Sequence, residues 1–158
     1  SLNPIQMRTK CQRIKHEHGL DLVVLDYMQL MHARGFQNNR VAEVGHIARS
    51  LKEVARDLRV PVVALAQLNR ELEKRKDKRP KLSDLKESGA IEQDSDMVIF
   101  LYRDIMYNED AEYPNLAEAI IGKNRNGGTD TIDVYFDAPS MRYTDGVRSR
   151  VILNPEGI

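Results

Sequence analysis

The chain has 158 residues, 41% hydrophobic and 30% charged, which suits one folded domain with its own hydrophobic core. Lys plus Arg and Asp plus Glu both number 24, so the formal net charge is zero and a global electrostatic attraction to nucleic acid is excluded. The single cysteine, Cys11, excludes an internal disulfide, and the absence of a membrane-length apolar run or a signal peptide leads us to expect a cytoplasmic protein without membrane contact.

The first predicted elements are a helix from about residue 4 to residue 18 and a buried strand. Asn3-Pro4 offers an N-cap followed by proline at the first helical position, and Gly19 is a stop signal. The unbroken apolar run Leu22–Leu25 favours a parallel strand covered on both faces. Asp26 follows at its carboxyl end, where open α/β sheets bind ligands and a carboxylate can hold Mg²⁺. The alternative is a buried strand whose aspartate only begins a turn.

A strongly periodic helix from about residue 40 to residue 58 follows an exposed loop and leads into a second apolar strand, Val60–Ala66. A strand, a long helix and a strand in this order form the crossover unit of a parallel sheet. Gln67 comes directly after the second strand, where its amide could contact a phosphate or a water; the alternative is a surface polar residue. We therefore expect Asp26 and Gln67 to face the same crevice.

The segment Arg70–Lys81 carries seven basic side chains against three acidic ones, in a protein that is otherwise balanced in charge. Such a hydrophilic stretch, closed by Pro80, predicts a mobile loop or frayed helix, and a solvated charged loop is the default interpretation. The alternative is contact with a nucleic-acid backbone, because the positive charge is concentrated where the chain leaves the strand edge. Backbone amides around Gly89 could approach such a nucleic-acid strand closely.

The second half of the chain predicts three more strands, at Met97–Leu101, Leu116–Gly122 and Thr131–Phe136. The last two form an antiparallel hairpin that is added to the parallel sheet. Alternation along the last strand predicts three inward side chains, Ile132, Val134 and Phe136.

Two cations, Lys123 and Arg125, follow the first strand of this hairpin. Strand alternation predicts that both point to the same face. Two cations on one side of a hairpin usually mark an exposed strand end. A phosphoryl-transfer site uses the same arrangement to neutralise charge that develops on the transferred phosphate.

Taken in order, these segments resemble the C-terminal motor domain of the bacterial and phage replicative hexameric helicases of the DnaB type, a RecA-like ATPase. The resemblance covers nearly the whole chain and rests on four motifs at compatible spacing. They are the Walker B motif Leu22–Met31, the glutamine motif Ala64–Arg70, the DNA-loop segment Arg79–Asp96 and the arginine-finger hairpin Ile121–Gly127. The resemblance implies an α/β fold, with a RecA-like mostly parallel sheet flanked by helices and an antiparallel C-terminal hairpin.

The resemblance also implies a role for each candidate residue. Asp26 would organise Mg²⁺ and the attacking water, and Gln67 would sense the γ-phosphate of ATP. Lys123 and Arg125 would reach the nucleotide of a neighbouring subunit in a homohexameric ring. The implied partners are single-stranded DNA, a primase and a helicase loader. Within the DNA-binding loop segment 70–89, contacts to the DNA phosphates fall on Lys86, Glu87 and Gly89, the glutamate through its backbone N–H.

One motif of that family is missing from this sequence. No Gly-x-x-x-x-Gly-Lys-[Ser/Thr] P-loop occurs, because Gly122-Lys123 is followed by Asn124 and no glycine loop precedes it. We therefore expect residues 1–158 to be the second half of the motor of an ATP-driven helicase that moves 5′→3′ on single-stranded DNA and unwinds duplex at the replication fork. Alone, this half is expected to be inactive, because it has no cradle for the β- and γ-phosphates.

Two alternatives to this helicase interpretation remain. A recombinase or circadian-clock-type ATPase shares the RecA-like fold, although the Arg79–Asp96 segment argues against it. A non-catalytic oligomerisation or DNA-binding module that kept half the fold and lost the P-loop belongs to a different class. A P-loop within about a hundred residues upstream of Ser1 would support the helicase.

Overall fold

The computed structural model describes residues 3–36, 39–85 and 89–145, and the chain divides into two compact units. The first unit is Ser1–Glu71 with Leu82–Ser95, and the second is Leu72–Lys81 with Asp96–Ile158. No helix in the described part of the chain is long and apolar enough to cross a membrane.

The first helix, α1 (Pro4–His18), has the bounds that the sequence predicts. Asn3 caps it, because its side-chain oxygen accepts a hydrogen bond from the Gln6 backbone N–H at 2.9 Å and the Gln6 side chain bonds back to Asn3. Gly19 ends the helix with φ at 81°, a left-handed value that glycine adopts without strain. The buried face is formed by Pro4, Met7 and Cys11.

A parallel strand pair and one long helix form the centre of the first unit. Strands β1 (Val23–Leu25) and β2 (Val62–Ala64) pair in parallel, and α2 (Arg40–Leu58) connects them. The predicted strand, helix and strand are therefore confirmed, and the apolar stripe of α2 faces the core as its period requires. The buried apolar residues of α2 are Val44, Ile47, Ala48, Leu51, Val54 and Leu58.

A short helix, α3 (Gly89–Asp94), packs against α2 in the same unit. The two helices approach closely at Gly45, where an added Cβ would lie 3.1 Å from the Cβ of Ala90. Glycine therefore suits this position, because a larger residue would push α3 away. Four 3₁₀ turns complete the helical structure of the described residues, at Met28–Leu30, Arg70–Lys74, Leu82–Asp84 and Asp104–Met106.

The prediction that β1 is covered on both faces is wrong for the described residues. Val23 and Leu25 pack against the core, whereas Val24 is 60% exposed. On the neighbouring strand, Val63 is 51% exposed and Leu65, just beyond its end, is 45% exposed. Only one face of the strand pair therefore meets the core of its unit, and the apolar run reflects a second face that nothing in the described residues covers.

The second unit is built on a four-stranded antiparallel sheet in the order β3-β4-β5-β6. Its strands are β3 (Met97–Tyr102), β4 (Leu116–Asn124), β5 (Thr131–Asp137) and β6 (Arg142–Thr144). The predicted hairpin of β4 and β5 is confirmed. However, β3 pairs antiparallel with β4 instead of extending the parallel pair, so the described residues form two small sheets and not one mostly parallel sheet.

Burial alternates along β3, and along β5 it departs from the sequence expectation at one residue. The side chains of β3 alternate between buried Val98, Phe100 and Tyr102 and exposed Met97, Ile99 and Leu101. Within β5, Val134 and Phe136 are half-buried, but Ile132 is 50% exposed, so its predicted inward position is wrong. Alternation assigns a residue to one face of a strand, and it does not say whether that part of the face is covered.

Candidate functional site

Asp26 and Gln67 lie at the carboxyl edge of the parallel strand pair, as the sequence predicts. Asp26 directly follows β1, and Gln67 comes three residues after the end of β2. Backbone bonds continue the ladder to this edge: Leu65 N–H donates to the Leu25 carbonyl at 2.9 Å, and Met28 N–H donates to the Leu65 carbonyl at 2.9 Å. Both candidate side chains are exposed. The structure therefore places a carboxylate and a carboxamide at one edge that is open to solvent.

The side chain of Gln29 bonds to the backbone of Gln67 at this edge. Its Nε2 donates to the Gln67 carbonyl at 3.2 Å, and its Oε1 accepts a hydrogen bond from the Gln67 N–H at 3.1 Å. A carboxamide has one donor side and one acceptor side, as a peptide group has, so Gln29 adds one more rung to the strand pairing. Gln29 lies within the motif Leu22–Met31, but nothing local indicates that its partner lies 38 residues away.

The segment that follows β1 is held by the first turn of α2. The Glu43 carboxylate is nearly buried and accepts a hydrogen bond from the Ala33 N–H at 2.8 Å and one from Arg40 at 2.7 Å. The bond from Ala33, and then the one from Arg40, lower the pKa of Glu43 below its ordinary value. Arg40 also donates to the backbone carbonyls of Gln29 and Met31. The predicted exposed loop thus begins with a fixed stretch, and Met31 is only 1% exposed.

A magnesium ion at the strand edge would have Asp26 as its protein ligand. No group of three or more His, Cys, Asp or Glu side chains among residues 3–36, 39–85 and 89–145 could hold a metal ion. Mg²⁺ usually keeps several waters and binds one or two carboxylates together with substrate phosphates. The single exposed carboxylate of Asp26 fits this mode of binding.

Lys123 and Arg125 belong to the second unit and lie at the hairpin, as predicted. Lys123 is in β4 opposite Val98, but β4 ends at Asn124 and Arg125 lies in the turn beyond it. Strand alternation therefore does not set the direction of the Arg125 side chain. Arg125 instead contacts Asp96, with its N–H on the Asp96 carbonyl at 2.8 Å and its Nη1 3.2 Å from the Asp96 carboxylate. The structure brings the two cations to one end of the sheet.

From Leu72 onward a few contacts anchor the basic segment within the second unit, and the prediction of a mobile loop or frayed helix did not include them. Leu72 and Pro80 are buried. Arg79 makes two hydrogen bonds to the Glu118 carboxylate, at 2.7 and 2.8 Å, and stacks 4.9 Å from the centre of the Tyr102 ring. The Glu118 bonds raise the pKa of Arg79, and burial raises the pKa of Tyr102. The Arg79 charge is therefore already neutralised by a carboxylate.

Of the three candidate DNA-contact residues, only Gly89 lies among the described residues. Lys86 and Glu87 lie outside the described residues. Gly89 is exposed at the start of α3, and a Cβ added there would meet no atom within 4 Å. Among the described residues, no atom fills the space that a Cβ would take at Gly89, and the DNA contact itself stays a prediction.

Residues 1–145 match the family described as "DnaB-like helicase C terminal domain". The chain belongs to this family. The family resemblance drawn from the sequence is thereby confirmed, and the alternative of a recombinase or clock-type ATPase is set aside. The roles of the individual motifs stay predictions. The non-catalytic alternative is a question of activity, which family membership does not test.

Curated relatives in the DnaB-like family are longer than this chain. The "Replicative DNA helicase DnaB" of Pasteurella multocida (strain Pm70) is 49% identical over 152 residues, which are 96% of this chain and 32% of the relative. The protein of the same name from Geobacillus stearothermophilus is 52% identical over 137 residues, 86% of this chain and 30% of the relative. The chain therefore spans about a third of these relatives.

Solved structures of similar proteins confirm the α/β part of the predicted fold class, but not the mostly parallel sheet. One of them, described as an ATPase domain, is similar with a TM-score of 0.85 and 39% identity, covering 89% of this chain and 50% of that one. "The Structure Of A DnaB-Like Replicative Helicase And Its Interactions With Primase" gives a TM-score of 0.82 at 41% identity, with 86% and 34% covered. The fold is thus that of part of a DnaB-like ATPase domain with mixed α/β content.

Proposed function

We propose that residues 1–158 are the second half of the motor of an ATP-driven replicative DNA helicase, which translocates 5′→3′ on single-stranded DNA and unwinds duplex at the fork. The observation that carries the proposal is the parallel strand pair that presents Asp26 and Gln67 at one edge in a chain of the DnaB-like family. In the longer protein, β1 and β2 would belong to a larger, mostly parallel sheet flanked by helices. The exposed apolar face at Val24 and Val63 supports this, because further structure would cover it.

Asp26 and Gln67 would have different roles at the ATP site. Asp26 would hold Mg²⁺, which supplies charge neutralisation at the phosphates when it is bound. Gln67 would sense the γ-phosphate and pass its presence to the DNA segment that follows. The P-loop lysine and the water-activating glutamate would come from the rest of the longer protein, so the 158-residue chain alone would not hydrolyse ATP.

The remaining candidate residues would act on partners outside the subunit. Lys86, Glu87 and Gly89, in the segment 70–89, would contact the phosphates of single-stranded DNA. Lys123 and Arg125 would reach the nucleotide of a neighbouring subunit in a homohexameric ring. A primase and a helicase loader are the further partners proposed, and one structural relative is described together with a primase. A replicative helicase of this kind would work in the cytoplasm, where bacterial DNA lies.

The experiment that tests this function replaces Asp26 in the full-length protein that contains this chain. We expect Asp26→Asn to keep nucleotide binding and to lower ATP turnover by about two orders of magnitude or more, since a neutral amide holds a divalent cation poorly. The measurements are steady-state ATPase with single-stranded DNA, and binding of a fluorescent ATP analogue.

The matched control is Asp21→Asn, which changes an exposed aspartate just before β1, at the opposite end of the strand. It should leave turnover unchanged. Normal turnover and normal Mg²⁺ dependence in Asp26→Asn would reduce Asp26 to a turn residue. Absence of ATPase in the unmodified full-length protein would favour the non-catalytic module.

A further inference from the structure

We infer that Gln29 is a positioning residue that holds Gln67 by its backbone, and that coupling between nucleotide and DNA depends on Gln29 through Gln67. The inference rests on the proposed function for the role of Gln67. The contact itself is independent of that role. The side chain of Gln29 does not act on a ligand in this account, because both of its polar atoms are engaged by the backbone of Gln67.

The two hydrogen bonds fix both translation and rotation of Gln67. One bond alone, to the N–H or to the carbonyl, would leave the peptide free to swing about it. With Oε1 on the N–H at 3.1 Å and Nε2 on the carbonyl at 3.2 Å, the backbone of Gln67 is held as in a strand although β2 has already ended at Ala64. The Gln67 side chain is exposed beyond this fixed point, where a ligand can reach it.

Gln29 is itself held in place, which a positioning residue requires. Its backbone carbonyl accepts a hydrogen bond from Arg40, whose guanidinium also pairs with the nearly buried Glu43 carboxylate at 2.7 Å. Arg40 and Glu43 lie in the first turn of α2, the helix that packs on the strand pair. A continuous set of bonds therefore runs from α2 through Gln29 to Gln67, and a shift of Gln67 would strain or break its bonds to Gln29.

The position of Gln67 should therefore depend both on bound nucleotide and on its contact with Gln29. A displacement of Gln67 by nucleotide would pull on Gln29, which lies only three residues after Asp26. A substitution at Gln29 should leave Asp26 and its strand pairing in place, because β1 and β2 pair through their own backbones. The effect expected is a loss of coupling, with the basal chemistry kept.

The experiment uses the full-length protein with Gln29→Ala, Gln67→Ala and the double variant. Two readouts are needed: ATPase with and without single-stranded DNA, and hydrogen exchange of a peptide that contains Gln67. We expect Gln29→Ala to keep the basal ATPase and to speed hydrogen exchange at Gln67. The DNA stimulation should fall about tenfold, the order of effect expected from the loss of two neutral hydrogen bonds. The double variant should lose no more stimulation than Gln67→Ala alone.

Two further variants distinguish loss of the Gln29–Gln67 contact from a general loss of structure. Gln12→Ala, an exposed glutamine on α1, should change neither readout. Gln29→Glu keeps the acceptor for the Gln67 N–H but sets a carboxylate against the Gln67 carbonyl, so it should restore little stimulation at neutral pH. Unchanged exchange at Gln67 in Gln29→Ala, or additive losses in the double variant, would overturn the inference.

Failure of the proposed function gives a different result. If Gln67→Ala keeps full DNA stimulation, Gln67 has no coupling role, and the coupling part of the inference falls with it. Faster exchange at Gln67 in Gln29→Ala would still be observed in that case. The hydrogen-exchange readout therefore shows which of the two statements has failed.

Discussion

Glu43 is a nearly buried acid whose charge is stabilised by specific donors. The Ala33 N–H and the Arg40 guanidinium both favour the ionised carboxylate, so the pKa of Glu43 lies below its ordinary value. In the unfolded chain the pKa of this carboxyl would be about 4.3. Its contribution to stability is therefore fully present above that pH, and it is lost as the pH falls through the lower pKa of the folded state.

We predict that Glu43→Gln lowers the free energy of unfolding at neutral pH by about 1 to 3 kcal/mol, because it removes a charge-assisted bond and leaves the Arg40 guanidinium without a carboxylate beside it. The difference from the unmodified protein should shrink as the pH is lowered below about 4. Urea unfolding at several pH values measures it. Glu53→Gln, an exposed residue of the same helix, is the control, and a difference that is independent of pH would contradict this account of Glu43.

The sequence predicts some residues of the strand edge and not others, because only some of them are marked by local sequence. Asp26 and Gln67 follow apolar runs directly, so their place at strand ends can be predicted locally. Gln29, Arg40 and Glu43 act through partners in other segments, and their contacts exist only once the chain has folded. Their polar character alone does not distinguish them from surface residues.

At the scale of elements, the basic segment Leu72–Lys81 shows how distant contacts override local composition. It is charged enough to be read as a free loop, yet buried Leu72 and Pro80 and the Arg79 pair with Glu118 fix it. The helices α1 and α2 could be predicted, because helix caps and an apolar period of 3.6 residues are local signals in the sequence. The partner of β3 had no such signal, since strand pairing joins residues far apart in sequence.

We predict that Arg79→Ala loosens this segment without removing a DNA contact. Hydrogen exchange across Leu72–Lys81 should become about fivefold faster, which corresponds to about 1 kcal/mol, the upper end for exposed ion pairs. The dependence of single-stranded DNA affinity on salt should keep its slope, because Arg79 is occupied by Glu118 and not by a phosphate.

Two variants check this account of the basic segment. Glu118→Gln should loosen the segment in the same way, since either substitution breaks the same pair. Glu109→Gln, an exposed acid of the same unit, should have no effect. A shallower salt slope in Arg79→Ala would mean that Arg79 binds DNA phosphate after all.

At the scale of the whole molecule, each unit exposes apolar side chains or a cation that could contact further structure or a second subunit. The parallel pair leaves Val24 and Val63 open, and β3 leaves Ile99 and Leu101 open, more than half exposed in each case. Exposed apolar faces of this kind are typical of surfaces that contact other structure. Arg125 is half exposed at a hairpin, which suits contact with a second subunit.

The last prediction tests whether Arg125 acts across a subunit interface. An arginine finger supplied in trans contributes about three to five orders of magnitude to turnover. In a head-to-tail ring, each nucleotide would lie between the P-loop of one subunit and the Arg125 of the next. Full-length Arg125→Ala subunits and subunits that lack the P-loop lysine should each be inactive alone and should regain ATPase when they are mixed.

The shape of the recovery is the decisive measurement. If subunits exchange freely and sites act independently, an equal mixture places a good P-loop beside a good Arg125 at about a quarter of the interfaces. A titration at constant total protein should therefore peak near equal amounts, at about a quarter of the unmodified activity. Arg142→Ala, an exposed arginine in β6, should be active alone and gain nothing from mixing. A flat and inactive line at every ratio, with exchange confirmed by labelled subunits, would show that Arg125 does not serve a neighbour. The ring assignment would then lose its main mechanistic support, because Arg125 would not complete an adjacent site.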